Sequence, residues 1–123
     1  MKDRTEADDI CQGAYNRALL GLILEPMRRA AKDAGYALAV HGSLNRDIDL
    51  IAVPWAESVW TPDALVDALA GAARGVVGRC NKFKEEWTPK PHGRIARILL
   101  AWVGENSAQI DLSVMPSTKN EED

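Results

Sequence analysis

The sequence predicts an α+β domain in which a mixed or antiparallel sheet is covered on one face by two helices. Three observations predict it. Apolar residues recur at three- and four-residue steps over the first quarter of the chain, short apolar runs of strand character follow in pairs, and a second helical pattern stands between those pairs. At 123 residues, with 46% apolar and 27% charged side chains, the chain fits one domain over residues 1–123, with polar ends expected to fray at about 1–7 and 117–123. Such a domain buries roughly two-thirds of the surface its unfolded chain exposes, so neither a disulfide nor a structural metal is needed to hold it.

From about Asp8 to Ala34, Ile10, Ala14, Leu19, Leu22, Ile23, Met27, Ala30 and Ala31 trace an amphipathic helix, with Pro26 as a place to kink or split it. Gly35 reads as its C-terminal stop. Tyr36 to His41 is a short buried strand, Gly42 to Arg46 a tight turn, and Asp47 to Val53 a second strand closed by Pro54, the two strands near enough to pair as a hairpin. Thr61 followed by Pro62 is a helix start, and Leu65, Val66, Leu69 and Ala73 give that helix an apolar face ending near Arg74-Gly75. A strand is expected around Gly78 to Lys84, and Thr88 to Gly93, with two prolines and a glycine, is a loop. Arg94 to Val103 and Ala108 to Met115 are apolar runs joined by Gly-Glu-Asn, a hairpin signal.

Composition narrows the function. Fifteen basic against eighteen acidic residues leave a net charge of -3, which argues against a nucleic-acid coat held by bulk positive charge, although Arg74 to Arg97 is locally basic. Cys11 and Cys80 lack the spacing of a zinc site and read as small buried or half-buried hydrophobes. The charged start MKDRTEADDI is unlike a secretion signal and no apolar run approaches a membrane span, so a cytoplasmic protein without membrane contact is expected. Trp55 and Trp60 are read as packing residues, and Trp87 and Trp102 as core or edge residues.

The chemistry is carried by aspartates in the wrong place. Aspartate is among the poorest strand residues, yet Asp47 and Asp49 stand in DIDLIAV and Asp111 in QIDLSV. Alternation puts Asp47 and Asp49 on one sheet face, and if the two strands are close, Asp111 joins them. Like charges so placed repel unless a divalent cation neutralises them, and oxygen-only ligands select Mg²⁺ or Mn²⁺. The bland alternative is that these acids cap turns or pair structurally with Arg46, Arg94 or Arg97. Upstream, Gly42 lets the backbone approach a phosphate, and the Ser43 hydroxyl can donate to it.

HGSLNRDIDLIAV with QIDLSV downstream resembles the nucleotidyltransferase superfamily, which includes DNA polymerase beta, the aminoglycoside nucleotidyltransferases and the minimal nucleotidyltransferases of toxin–antitoxin pairs. LNRDIDLIAVPW and KPHGR also resemble small phage-encoded members. The resemblance covers about Tyr36 to Val114. It implies that Asp47, Asp49 and Asp111 are catalytic metal ligands and that Gly42 and Ser43 meet a nucleoside triphosphate, whose nucleoside monophosphate goes to an acceptor hydroxyl. Arg46, Lys90 and Arg94 are added as phosphate-binding candidates on charge and position, while His92 is as well read as a solvated loop residue and His41 as a structural histidine. One departure stands out: only Leu44, Asn45 and Arg46 separate Gly-Ser from Asp-x-Asp, fewer than in most members. The intact acidic trio favours an enzyme. The short loop favours a catalytically silent binding or regulatory relative, antitoxin-like or a phage accessory protein. The acceptor is expected from a partner or across a homodimer interface.

Overall fold

Thr5 opens the first helix by accepting from the Asp8 amide while the Asp8 carboxylate accepts from the Thr5 amide, a reciprocal cap that satisfies two end groups. The computed structural model describes residues 4–117; of the ends expected to fray at about 1–7 and 117–123, residues 1–3 and 118–123 lie outside the described residues, while Thr5 caps α1 and Glu6 and Ala7 are helical. Helix α1 runs Glu6–Asp33, β1 Tyr36–His41, β2 Ile48–Pro54, α2 Pro62–Val77, β3 Arg79–Lys82, β4 Thr88–Pro89, β5 Ile95–Val103 and β6 Asn106–Val114. The protein is an α+β fold with two helices and a six-stranded mixed sheet.

Pro26 does not split α1, which is continuous through it. Proline removes the bond to the carbonyl four residues back, and that residue, Leu22, is 55% exposed, where water can satisfy the carbonyl. The buried face of α1 differs from the expected one. It comprises Gly13, Asn16, Leu19, Leu20, Ile23, Met27 and Ala31, while Ile10 is 63% exposed and Ala14 and Leu22 also face out. At a helical turn of about 100° per residue, Ile10, Ala14 and Leu22 sit roughly 100° or more around from the stripe centred on Met27.

Helix α2 keeps Thr61 as cap, its hydroxyl accepting from the Ala64 amide at 3.2 Å, with Pro62 at the first position. It passes Gly75 and stops at Gly78, whose φ of +92° suits glycine and whose amide bonds the Arg74 carbonyl at 2.8 Å. The loop expected from Thr88 to Gly93 holds β4 and a 3-10 turn over Pro91–Gly93, closed by the Lys90 amide on the Arg94 carbonyl. A two-residue turn, Gly104-Glu105, joins β5 and β6, with glycine at the first central position as tight hairpins favour.

The main path of the sheet runs β1-β2-β6-β5-β3, with β4 paired to β5. All ladders are antiparallel except β2 with β6, which is parallel. Ile48, Leu50 and Ala52 of β2, Ile110, Leu112 and Val114 of β6, and Leu99 and Ala101 of β5 are buried with the apolar faces of both helices in one core. Both helices therefore lie on one side of the sheet. Alternation sends the intervening residues to the uncovered face, among them Asp49 and Ile51 of β2, Asp111 and Ser113 of β6, and Ile98 of β5. At the β1 edge, Arg28 of α1 donates from Nε to the Leu38 carbonyl at 3.2 Å.

On the helix side, Arg97 is buried and donates from Nε to the Lys84 carbonyl, with Glu85 and Asp63 as further partners and the Trp87 ring 5.5 Å from its guanidinium carbon. Cys80 is buried as expected, but Cys11 is exposed. Trp55 and Trp60 are 54% and 46% exposed, so they are not the packed residues that the sequence suggests. Among the described residues no helix is long and apolar enough to cross a membrane.

Candidate metal and nucleotide site

Parallel pairing of β2 with β6 sets Asp49 directly opposite Asp111, and antiparallel pairing sets His41 of β1 opposite Asp49 and Ile98 of β5 opposite Asp111. Asp47 precedes β2 by one residue and shares the Asp49 side of the sheet. One carboxylate oxygen from each of Asp47, Asp49 and Asp111 lies within 4.8 Å of the others. The convergence expected from two distant strands is therefore present.

None of the arginines named as alternative partners forms an ion pair with this trio. Arg46 reaches back to Asp9 at 3.4 Å, Arg94 donates to Ser113 Oγ at 2.9 Å, and Arg97 serves Glu85 and Asp63. Among the described residues no ion pair involves Asp47, Asp49 or Asp111. The electrostatic consequence is visible in the acids themselves. Partial burial, then the charge of Asp111, pushes the Asp47 carboxyl above its ordinary range, against the pull of Arg4 and Arg46. Asp49 is pushed the same way by burial, Asp111 and Asp47, with His41 opposing. Three half-buried carboxylates gathered this closely form a group that could hold a metal ion through oxygen ligands.

Gly42 leaves β1 with φ +82°, and a Cβ built there would stand 2.5 Å from Asp49 Oδ2. A side chain there would have to displace the Asp49 carboxylate and adopt a strained backbone. The following turn is fastened to α1 rather than left loose. Buried Asn16 donates to the Leu44 carbonyl at 2.7 Å and accepts from Gln12, while Arg17 donates to the Ser43 carbonyl and to Asn45 Oδ1. Leu44 is held at φ +67°, a conformation a branched side chain rarely takes, and the Asn45 amide donates to Ser43 Oγ at 3.2 Å. Gly13 makes room for this docking, since a Cβ there would meet Asn45 Oδ1 at 2.7 Å.

The sequence-derived set thus separates into two flanks. Gly42 and Ser43 lie on the β1 side of the acids, with Arg46 turned toward α1. Lys90 lines a small cleft on the β5 side together with Asp111, and Arg94 is tied to Ser113, two residues beyond Asp111 on the same face. His41 and His92 are exposed, and His92 sits in the 3-10 turn with φ +68°. Sequence reasoning missed Gly13, Asn16 and Arg17, which hold the turn, and Lys84, which lines the cleft beside Asp111. A scan against protein-family models finds no match for this chain, and a search of curated proteins finds none either.

Proposed function

We propose that this chain is a divalent-metal-dependent nucleotidyltransferase, moving a nucleoside monophosphate from a triphosphate to an acceptor hydroxyl. The observation that carries the reading is the unpaired trio Asp47, Asp49 and Asp111 on the uncovered sheet face, with Gly42 against Asp49 at the mouth of the turn. When bound there, Mg²⁺ or Mn²⁺ supplies positive charge that neutralises the acids and the phosphate oxygens. Asp49 of β2 and Asp47 just before it would hold the ion from one side. Asp111 completes the ligand set from the other and favours loss of the acceptor's proton. Gly42 admits a phosphate close to the backbone, and the Ser43 hydroxyl is a donor beside it.

A second reading, a relative that binds nucleotide or a protein partner without transfer, draws on the short turn. Arg17 takes the Ser43 carbonyl, the Asn45 amide takes Ser43 Oγ, and Arg46 serves Asp9, so much of the loop's polarity is spent internally. One experiment separates the two. Melting of the protein with each ribonucleoside triphosphate, in Mg²⁺, Mn²⁺ or EDTA, is expected to show a metal-dependent rise with at least one nucleotide, of several degrees at saturating ligand, that is lost in Asp49→Asn. No shift with any triphosphate sinks the enzyme reading. A shift without transfer of α-labelled nucleotide to any acceptor favours the silent relative.

A further inference from the structure

We propose that the acceptor carries a phosphate group, and that Lys84 and Lys90 hold it beside Asp111; this rests on the transferase reading above. In-line displacement brings the attacking oxygen to the α-phosphorus from the side opposite the leaving pyrophosphate. With the triphosphate on the Gly42–Ser43 flank, the acceptor enters from the β5 flank, because β2 and β6 stand between β1 and β5. A cleft of about 110 Å³ opens on that flank, lined by Asp111, Ile98, Thr88, Lys84, Lys90 and Glu86 among others. It is far smaller than the roughly 300–1,000 Å³ of clefts that enclose a whole small ligand, so it suits one group of the acceptor.

The charges of the cleft say which group. Among the described residues neither Lys84 nor Lys90 is in an ion pair, with Glu86 or with any other carboxylate. Lys84 Nζ stands 5.8 Å from the centroid of the Phe83 ring. Two ammonium groups with the Thr88 hydroxyl match a dianion with several acceptor oxygens, as a phosphate monoester is. Held there, the acceptor presents a hydroxyl to Asp111. A bond then forms between that oxygen and the α-phosphorus as the bond from the α-phosphorus to the bridging oxygen breaks. Pyrophosphate leaves with the bonding pair, and the hydroxyl proton is released to solvent.

Amide NMR titration of the full chain tests this with ribose 5-phosphate, a short oligonucleotide, and ribose as the uncharged control. Saturable shifts are expected at Thr88, Lys90 and Ile98 with one or both phosphate esters and not with ribose, weakened at least tenfold in Lys84→Gln/Lys90→Gln and retained in Asp49→Asn. Tighter binding of the monoester points to a small phosphorylated acceptor, and of the oligonucleotide to a strand end. Equal response to ribose, unchanged affinity in the lysine variant, or shifts confined to Gly42–Ser43 would overturn the proposal. The transferase reading is checked on different amides: if Mg²⁺ with ATP moves nothing from Gly42 to Asp49, that reading fails and the acceptor role goes with it.

Discussion

Single atoms decide how the candidate site works. A Cβ at residue 42 would collide with Asp49 Oδ2, and the backbone there has φ +82°, so Gly42→Ala combines strain with displacement of a metal ligand. It is expected to destabilise the fold by about 1–3 kcal/mol and to weaken Mg²⁺ or Mn²⁺ binding at least tenfold, measured by denaturant unfolding and by metal titration. Wild-type metal affinity in this variant would mean that the glycine serves only the turn. At this scale the sequence is readable for the acids and opaque for the cations. Asp47, Asp49 and Asp111 stand out because aspartate interrupts apolar strands, a strictly local signal. Arg46, Lys90 and Arg94 look alike in the sequence, yet one meets Asp9, one a cleft and one Ser113, choices set by distant chain segments.

Helix α1 is the element that holds the Gly-Ser turn in place. Asn16 is buried at its contact with the turn, and its side-chain amide satisfies the Leu44 carbonyl. Asn16→Leu removes that donor while keeping the bulk, and is expected to cost about 1–3 kcal/mol for the carbonyl left behind. Chemical denaturation measures the loss, and amide NMR should show the largest shifts at Ser43, Leu44 and Asn45. A variant with wild-type stability and an unmoved turn would show that Arg17 and Gly13 suffice. The periodicity of α1 already holds a trace of this role, since Asn16 falls on the buried stripe between Gly13 and Leu20, where a polar residue needs a partner. The apolar count overlooks it by following Ile10 and Leu22, which face outward. The two hairpins and the Thr61 cap of α2 are readable because turn and capping residues act locally, whereas the Thr5 cap of α1 falls in a stretch whose polar composition suggests fraying.

For the whole molecule, the acids set how stability depends on pH. Asp47 and Asp49 have carboxyls raised above the unfolded value, so their favourable contribution is present at pH below the ordinary carboxylate range and is lost as pH rises through the raised folded values. The metal-free protein therefore carries a penalty at neutral pH. Asp8 and Asp9 work in the opposite sense: hydrogen bonds to Thr5 and to Arg4 hold them low, and what they add is lost as pH falls. In EDTA, Asp47→Asn is expected to melt above the wild type at neutral pH, with the gap closing on acidification below the carboxylate range, and Mg²⁺ should reverse the order at neutral pH. Thermal melts across pH with and without Mg²⁺ check this. A gap that persists in acid would assign the gain to something other than charge.

The parallel joining of β2 to β6 is the feature of the fold least readable in the sequence, because the two strands lie far apart along the chain and no local signal links them. Its counterpart is the outer strand β1, which ends the sheet. A terminal strand offers spare backbone groups to any extended peptide it meets, and it is the ordinary starting point for fibre growth. By occupying the Leu38 carbonyl, Arg28 interrupts that row at its middle with a charged side chain. The same helix that holds the Gly-Ser turn thus also guards the outer edge of the strand leading into it against unwanted polymerisation.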